Sequence, residues 1–145
     1  MMKKIVPFLL IVFLFTTCKK AEVENKFYIS LIEMSPSEII EFEENINVKI
    51  SYSHSKGFIG FIDPDYLSLE VKDSRLSNAD YYHMIPLNPP QSEVSITGEI
   101  NIEIDSPFIF GNGNAETLTF TIRIEDKDKN WSNKITTGLI TVNKQ

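Results

Sequence analysis

The stretch EDKDKNWSN, residues 125–133, gathers side chains that could do chemistry. Asp126, Asp128 and Asn130 stand at alternate positions, the spacing with which an EF-hand loop first offers oxygens to calcium. The rest of that pattern fails. Trp131 occupies the sixth position, where a glycine makes the sharp turn, and Thr137 the twelfth, where a bidentate glutamate belongs. Calcium takes about six to eight oxygens, so a site here needs help from another loop, such as Asp63 and Asp65 of DPD. The competing reading is a hairpin turn. Asp and Asn tolerate left-handed backbone and bond their own main chain, while Lys127, Lys129 and Lys134 offset the acids.

Other chemistry is thinly represented. The chain has two histidines, His54 and His83, with neither an HExxH pattern nor paired cysteines, which argues against zinc. No G-x-S-x-G elbow supplies an acyl-transfer nucleophile. GNGN, residues 111–114, lacks the Lys-Ser/Thr end and the helix of a phosphate loop, and reads as a hairpin turn. No enzyme activity is expected and no cofactor is implied beyond calcium at Asp126, Asp128 and Asn130. Aromatic side chains are the better candidates for recognition. Trp131, the only tryptophan, with Tyr81 and Tyr82, forms a candidate binding surface for a protein or a glycan. Phe58 and Phe61 are expected to fill the core.

Strands must position these residues. INVKISY puts Ile46, Val48, Ile50 and Tyr52 on one face. VSITGEINIEI aligns Val94, Ile96, Ile100, Ile102 and Ile104, with Gly98 marking a bend or bulge. LTFTIRI turns Leu118, Phe120, Ile122 and Ile124 inward. FYISLI and LITV supply the first and last strands, with SLEV and YYHMI as weaker candidates. SPSEIIEFEE suits one helical turn or a strand start. Seven to eight short strands, with turns every eight to twelve residues, predict an all-β antiparallel sandwich.

The net charge of -6 excludes nucleic acid as an expected partner, since phosphate binding needs a basic face. Residues 1–17 read apart from the rest. Lys3 and Lys4 precede an uncharged apolar run from Ile5 to Thr17, short of the about 20 residues of a membrane span but fit for a secretory signal. The only cysteine, Cys18, follows at once, so the remainder holds no internal disulfide. Removing the signal takes away two lysines and no acid, leaving a more acidic domain. The segment 18–26 is a charged tether, and residues 27–145 are long enough for one core.

Two resemblances sharpen this reading. FLFTTC resembles a bacterial lipobox, with Phe15 in the usual Leu place and Thr16 and Thr17 in the small-residue places; looser boxes of this kind are similar to those of Bacteroidota-type bacteria. It implies cleavage before Cys18, acylation of its sulfur, and a membrane partnership through that anchor. CKKAEVEN, with Glu22 and Glu24 behind the lysines, is similar to surface-export signals of the same group. Downstream, TLTFTIRIEDKDKNWSN followed by ITTGLITV resembles the last strands of bacterial immunoglobulin-like modules, which carry D-x-x-G-N-x-S between them. Asp126, Asn130 and Ser132 match, and Lys129 stands in the glycine place. The chain is similar to short single-domain lipoproteins of that kind. The resemblance implies an immunoglobulin-like sandwich at the outer membrane, periplasmic or surface facing, with a binding or structural role. A calcium-dependent adhesion or glycan-binding module is the alternative.

Overall fold

The computed structural model describes residues 26–57, 59–87 and 94–145. Cys18, the 1–17 signal, Phe58 and nearly all of the 18–26 tether lie outside the described residues. The fold is all-β. Ten strands and no helix occur among the described residues: β1 (Phe27–Ser35), β2 (Glu38–Ile40), β3 (Ile46–His54), β4 (Leu67–Asp73), β5 (Asp80–His83), β6 (Ile96–Ile104), β7 (Ala115–Leu118), β8 (Phe120–Ile124), β9 (Ile135–Thr136) and β10 (Ile140–Asn143). SPSEIIEFEE therefore yields a strand, β2.

The count exceeds the expected seven to eight because continuous paths are interrupted. Thr119 separates β7 from β8 by turning its backbone to Ser74, whose Oγ takes the Thr119 N–H at 3.0 Å. Thr137 ends β9 in a similar way, its Oγ1 accepting the Phe120 N–H at 2.8 Å.

Pairing gives three sheets, ordered β1-β3-β6, β2-β10-β7 and β5-β4-β8-β9. All pairs are antiparallel except β2 with β10. The second and third sheets continue one another through Thr119 and through residues 137–139. The arrangement is sandwich-like. Ile29, Val48, Ile50 and Ile102 from the first sheet meet Ile39, Val71, Ile122 and Ile140 from the others in one buried cluster. Removing each such aliphatic side chain from water contributes about 1.5–3 kcal/mol, which the period-two alternation makes possible.

Two expectations need correction. Gly98 is no bulge, because β3 and β6 pair without a break from Ile46↔Ile104 to His54↔Ile96. Gly98 lies opposite Tyr52, and a Cβ there would stand 2.6 Å from the Tyr52 hydroxyl oxygen. The glycine is the bed of the tyrosine ring. GNGN is no hairpin either. It precedes β7, which pairs with β10, whereas the strand before it, β6, pairs with β3. The 105–114 segment is a crossover between sheets.

The first sheet also defines two ends. Lys26 bonds Ser55 beside Phe27 and His54 at one end, while Ile46 pairs with Ile104 at the other. Nine residues of strand separate them, roughly 30 Å.

Candidate functional site

The 125–133 loop is the hairpin connecting β8 to β9, and a buried charge organises it. Asp126 and His54 are 0% and 1% exposed. A buried carboxylate is costly unless its lone pairs are filled, and these are. Oδ1 accepts the backbone N–H groups of Asp128 and Asn130, each at 2.8 Å. The Asn130 side-chain amide donates to both oxygens at 3.2–3.3 Å. Oδ2 meets His54 Nε2 at 3.0 Å. On the far side of the imidazole, Nδ1 accepts the Lys56 N–H at 3.1 Å. In the neutral ring the proton therefore sits on Nε2 and is donated to Asp126. Phe27 closes over the histidine at 4.8 Å between ring centroids.

The neighbours of Asp126 are used in the same manner. Lys129 takes a left-handed backbone, φ 65, at the place the related pattern gives to glycine, and its N–H donates to the Asp126 carbonyl at 3.0 Å. Ser132 Oγ accepts the Ile124 N–H at 3.1 Å. Asn133 bridges to β1, taking the Ile29 N–H at 2.8 Å and returning its own amide to the Ile29 carbonyl at 2.9 Å. It acts as a single rung of strand pairing. Tyr66 donates to Glu125 at 2.8 Å and stacks on Phe61 at 3.9 Å, which ties the 59–66 segment to this turn.

Of the three expected calcium ligands, Asp126 points into the fold, while Asp128 and Asn130 are exposed. Among the described residues, no three of His, Cys, Asp and Glu are grouped as a metal site. Asp63 and Asp65 form a turn of their own, the Asp65 N–H bonding Asp63 Oδ1 at 3.0 Å. A cation entering this loop would compete with the N–H donors that hold Asp126.

Of the three expected aromatic residues, the structure brings two together. Tyr81 on β5, Glu70 on β4 and Arg123 on β8 are cross-strand neighbours on the outer face of one sheet. The Tyr81 hydroxyl donates to Glu70 Oε2 at 2.9 Å, and Arg123 grips both Glu70 oxygens at 2.9 and 2.6 Å. The guanidinium then lies 4.2 Å above the Trp131 ring. Arg123 hydrogen bonds draw the Glu70 carboxyl below its ordinary range, against burial, and the Tyr81 hydroxyl adds to the effect. The bond to Glu70 in turn raises the Tyr81 hydroxyl. Tyr82 faces the other way. It lines an apolar cleft of about 410 Å³ between the β4–β5 edge and β6, with Val71, Met84, Ile100 and Ile102. His83 is a strand residue whose Nδ1 sits 3.1 Å from the Tyr66 carbonyl oxygen.

The residue-by-residue reading passed over a second ionic centre. Asp73 takes the Arg75 guanidinium and backbone N–H, while Glu116 holds the same guanidinium at 2.8 Å and accepts the Phe110 and Gly111 N–H groups. The Gly111 and Phe110 amides, then Arg75, lower the Glu116 carboxyl. Nothing local signals this contact, because Asp73 and Glu116 lie on different sheets. No protein-family model matches the chain, and no curated protein is significantly similar to it.

Proposed function

We propose that this chain is a lipid-anchored, immunoglobulin-like module of the cell envelope, with a binding or structural role and no catalysis of its own. The observation that carries the reading is how its buried ionisable side chains are used. Asp126, His54, Glu70, Asp73 and Glu41 are all buried, and each is engaged by backbone amides or an opposing partner. That is how a scaffold uses charge. A catalytic carboxylate or imidazole needs a free atom aimed at a substrate.

Strand order supports the immunoglobulin-like part. The first strand is divided, with β1 beside β3 in one layer and β2 parallel to the last strand, β10, in the other. The remaining order, β3 with β6 against β4, β8 and β9–β10, matches the two-sheet division of such domains. The apolar run and Cys18 support the anchor.

Metabolic labelling with an alkyne palmitate in a Gram-negative host tests the anchor. The expected result is a labelled, membrane-bound chain and an unlabelled Cys18→Ala variant. An unlabelled parent chain removes the lipoprotein reading. The alternative of calcium-dependent adhesion or glycan binding draws on the shared face of Tyr81 and Trp131. Melting curves with calcium and with chelator examine the calcium part. Calcium at a hundred times its dissociation constant would add about 2.7 kcal/mol, several degrees of shift.

A further inference from the structure

At the end of the sandwich opposite Lys26, three phenylalanines stand together in solvent. Phe42, Phe108 and Phe110 are 65%, 43% and 47% exposed. Phe42 stacks on Phe108 at 5.5 Å, and Phe108 meets Phe110 edge-on at 4.9 Å. They come from distant parts of the chain. The 41–45 turn and the 105–110 crossover are stitched by Glu41 accepting the Ile109 N–H and by Asn45 Oδ1 accepting the Ser106 N–H. Contiguous apolar surface on a small domain is where contact sites are found.

Phe42 is the most telling of the three. Its φ is 66, a left-handed backbone that a bulky side chain rarely adopts. The turn around it is fixed by the Glu43 N–H to the Ile40 carbonyl and the Glu41 N–H to the Asn143 carbonyl. Strain of this sort persists only where the surroundings over-determine it, and here the turn's own hydrogen bonds do so. The ring itself stays mostly in water, with its stack on Phe108, so its burial does little to offset the strain.

The surroundings name the chemistry of a partner. The two segments that form the patch carry the exposed carboxylates Glu43, Glu44 and Asp105, with no lysine or arginine, and the exposed Glu103 of β6 accepts the Asn45 side-chain amide at 2.8 Å. Adjoining stretches contribute Arg75 and Lys144. Arg75 shows what the rings accept: its guanidinium lies 4.3 Å over Phe110 and is held by Asp73, Glu116 and the Phe108 carbonyl. Exposed aromatic faces beside carboxylates attract cations through both the ring quadrupole and simple charge.

We propose that the Phe42–Phe108–Phe110 patch is a docking surface for an arginine- or lysine-bearing segment of another protein. This deepens the binding role proposed above and does not depend on the anchor. With an anchor at Cys18, the patch lies at the end opposite Lys26, where the tether joins the domain.

The test is a titration of the chain from residue 19 onward, which contains every described residue, with hexa-arginine peptide, read by the aromatic NMR signals. The rings of Phe42 and Phe108 are expected to shift saturably, less so as salt rises, and not to respond to hexaglutamate. The Phe42→Gly variant separates recognition from folding. Glycine accepts the left-handed backbone, so the variant is expected to melt no lower than the parent yet bind at least about tenfold more weakly. Unmoved rings, or a Phe42→Gly variant with parental affinity, overturn the proposal. Ring shifts that depend on the chain's own concentration point to a second copy and also overturn it. So do shifts produced by phosphatidylcholine vesicles alone, which point to a membrane. Palmitate labelling is independent of all these outcomes.

Discussion

Replacing Asp126 by asparagine exchanges a single oxygen for an NH2, and the consequences can be traced atom by atom. One amide oxygen can still accept the Asp128 and Asn130 N–H groups. The NH2 must then face His54 Nε2, which now donates to Asp126. Moving the imidazole proton to Nδ1 does not solve the problem, because Nδ1 would then oppose the Lys56 N–H. Either way a buried donor is left without an acceptor, at about 1–3 kcal/mol. Lost charge assistance on the remaining bonds adds about 1 kcal/mol. Asp126→Asn is therefore expected to destabilise the domain by about 2–4 kcal/mol, a large share of an ordinary stability of about 5–15 kcal/mol. Urea unfolding followed by fluorescence suits the question, since Trp131 is the only tryptophan and sits on the affected hairpin. The midpoint should fall with the denaturant slope unchanged. A variant within about 0.5 kcal/mol of the parent would show that the His54–Asp126 pair is not the organising contact argued here.

Lys129→Gly should stabilise the chain by about 0.5–1 kcal/mol. The left-handed backbone costs a side chain about 1–2 kcal/mol, and the added freedom of unfolded glycine takes back part of the gain. A lower urea midpoint would contradict this. Gly60→Ala should cost at least about 2 kcal/mol, because φ is 92 and the new Cβ would collide with the Ile85 carbonyl oxygen. A melting temperature equal to the parent's would count against that close approach. Glu70 carries the pH prediction. Its carboxyl is lowered in the folded state, so its contribution is present above the unfolded value of about 4.3 and disappears as pH falls through the folded value. The stability gap between the parent and Glu70→Gln should thus narrow as urea midpoints are followed from neutral pH into acid. A gap constant across the series would remove Arg123 as the cause.

What could be read from the chain was what period two encodes. Ile46, Val48 and Ile50 are buried, as are Leu118, Phe120, Ile122 and Ile124, all on the faces their alternation assigns. The 125–133 hairpin was legible too, since Asp, Asn and Ser at those spacings satisfy a turn locally. Partnerships between distant strands were not. His54 and Asp126 are 72 residues apart, and nothing in YSHSK announces that the imidazole will close on a loop so far away. Gly98 suggested a bulge because its partner, Tyr52, becomes visible only with the register. GNGN has a hairpin's composition in a crossover, because turn residues say that the chain bends, not which strand it joins next. Tyr81 and Tyr82 are adjacent in sequence and were grouped for that reason, although the pleat sends them to opposite faces.

The parallel pairing of β2 with β10 has a consequence for the order in which the chain can mature. Glu38 aligns with Thr141, and Ile40 with Asn143, so an early strand finds its neighbour only after almost the whole domain has been synthesised. Until residues 140–143 emerge, β2 has no edge to join, and β7 lacks the strand it shares with β2. A long-range closure of this kind is slow, because loop entropy must be overcome before any contact rewards it. For the exported chain proposed above, such a delay would be an advantage. It would keep the chain open for passage through a narrow translocation channel and leave the locking of the sandwich to the far side.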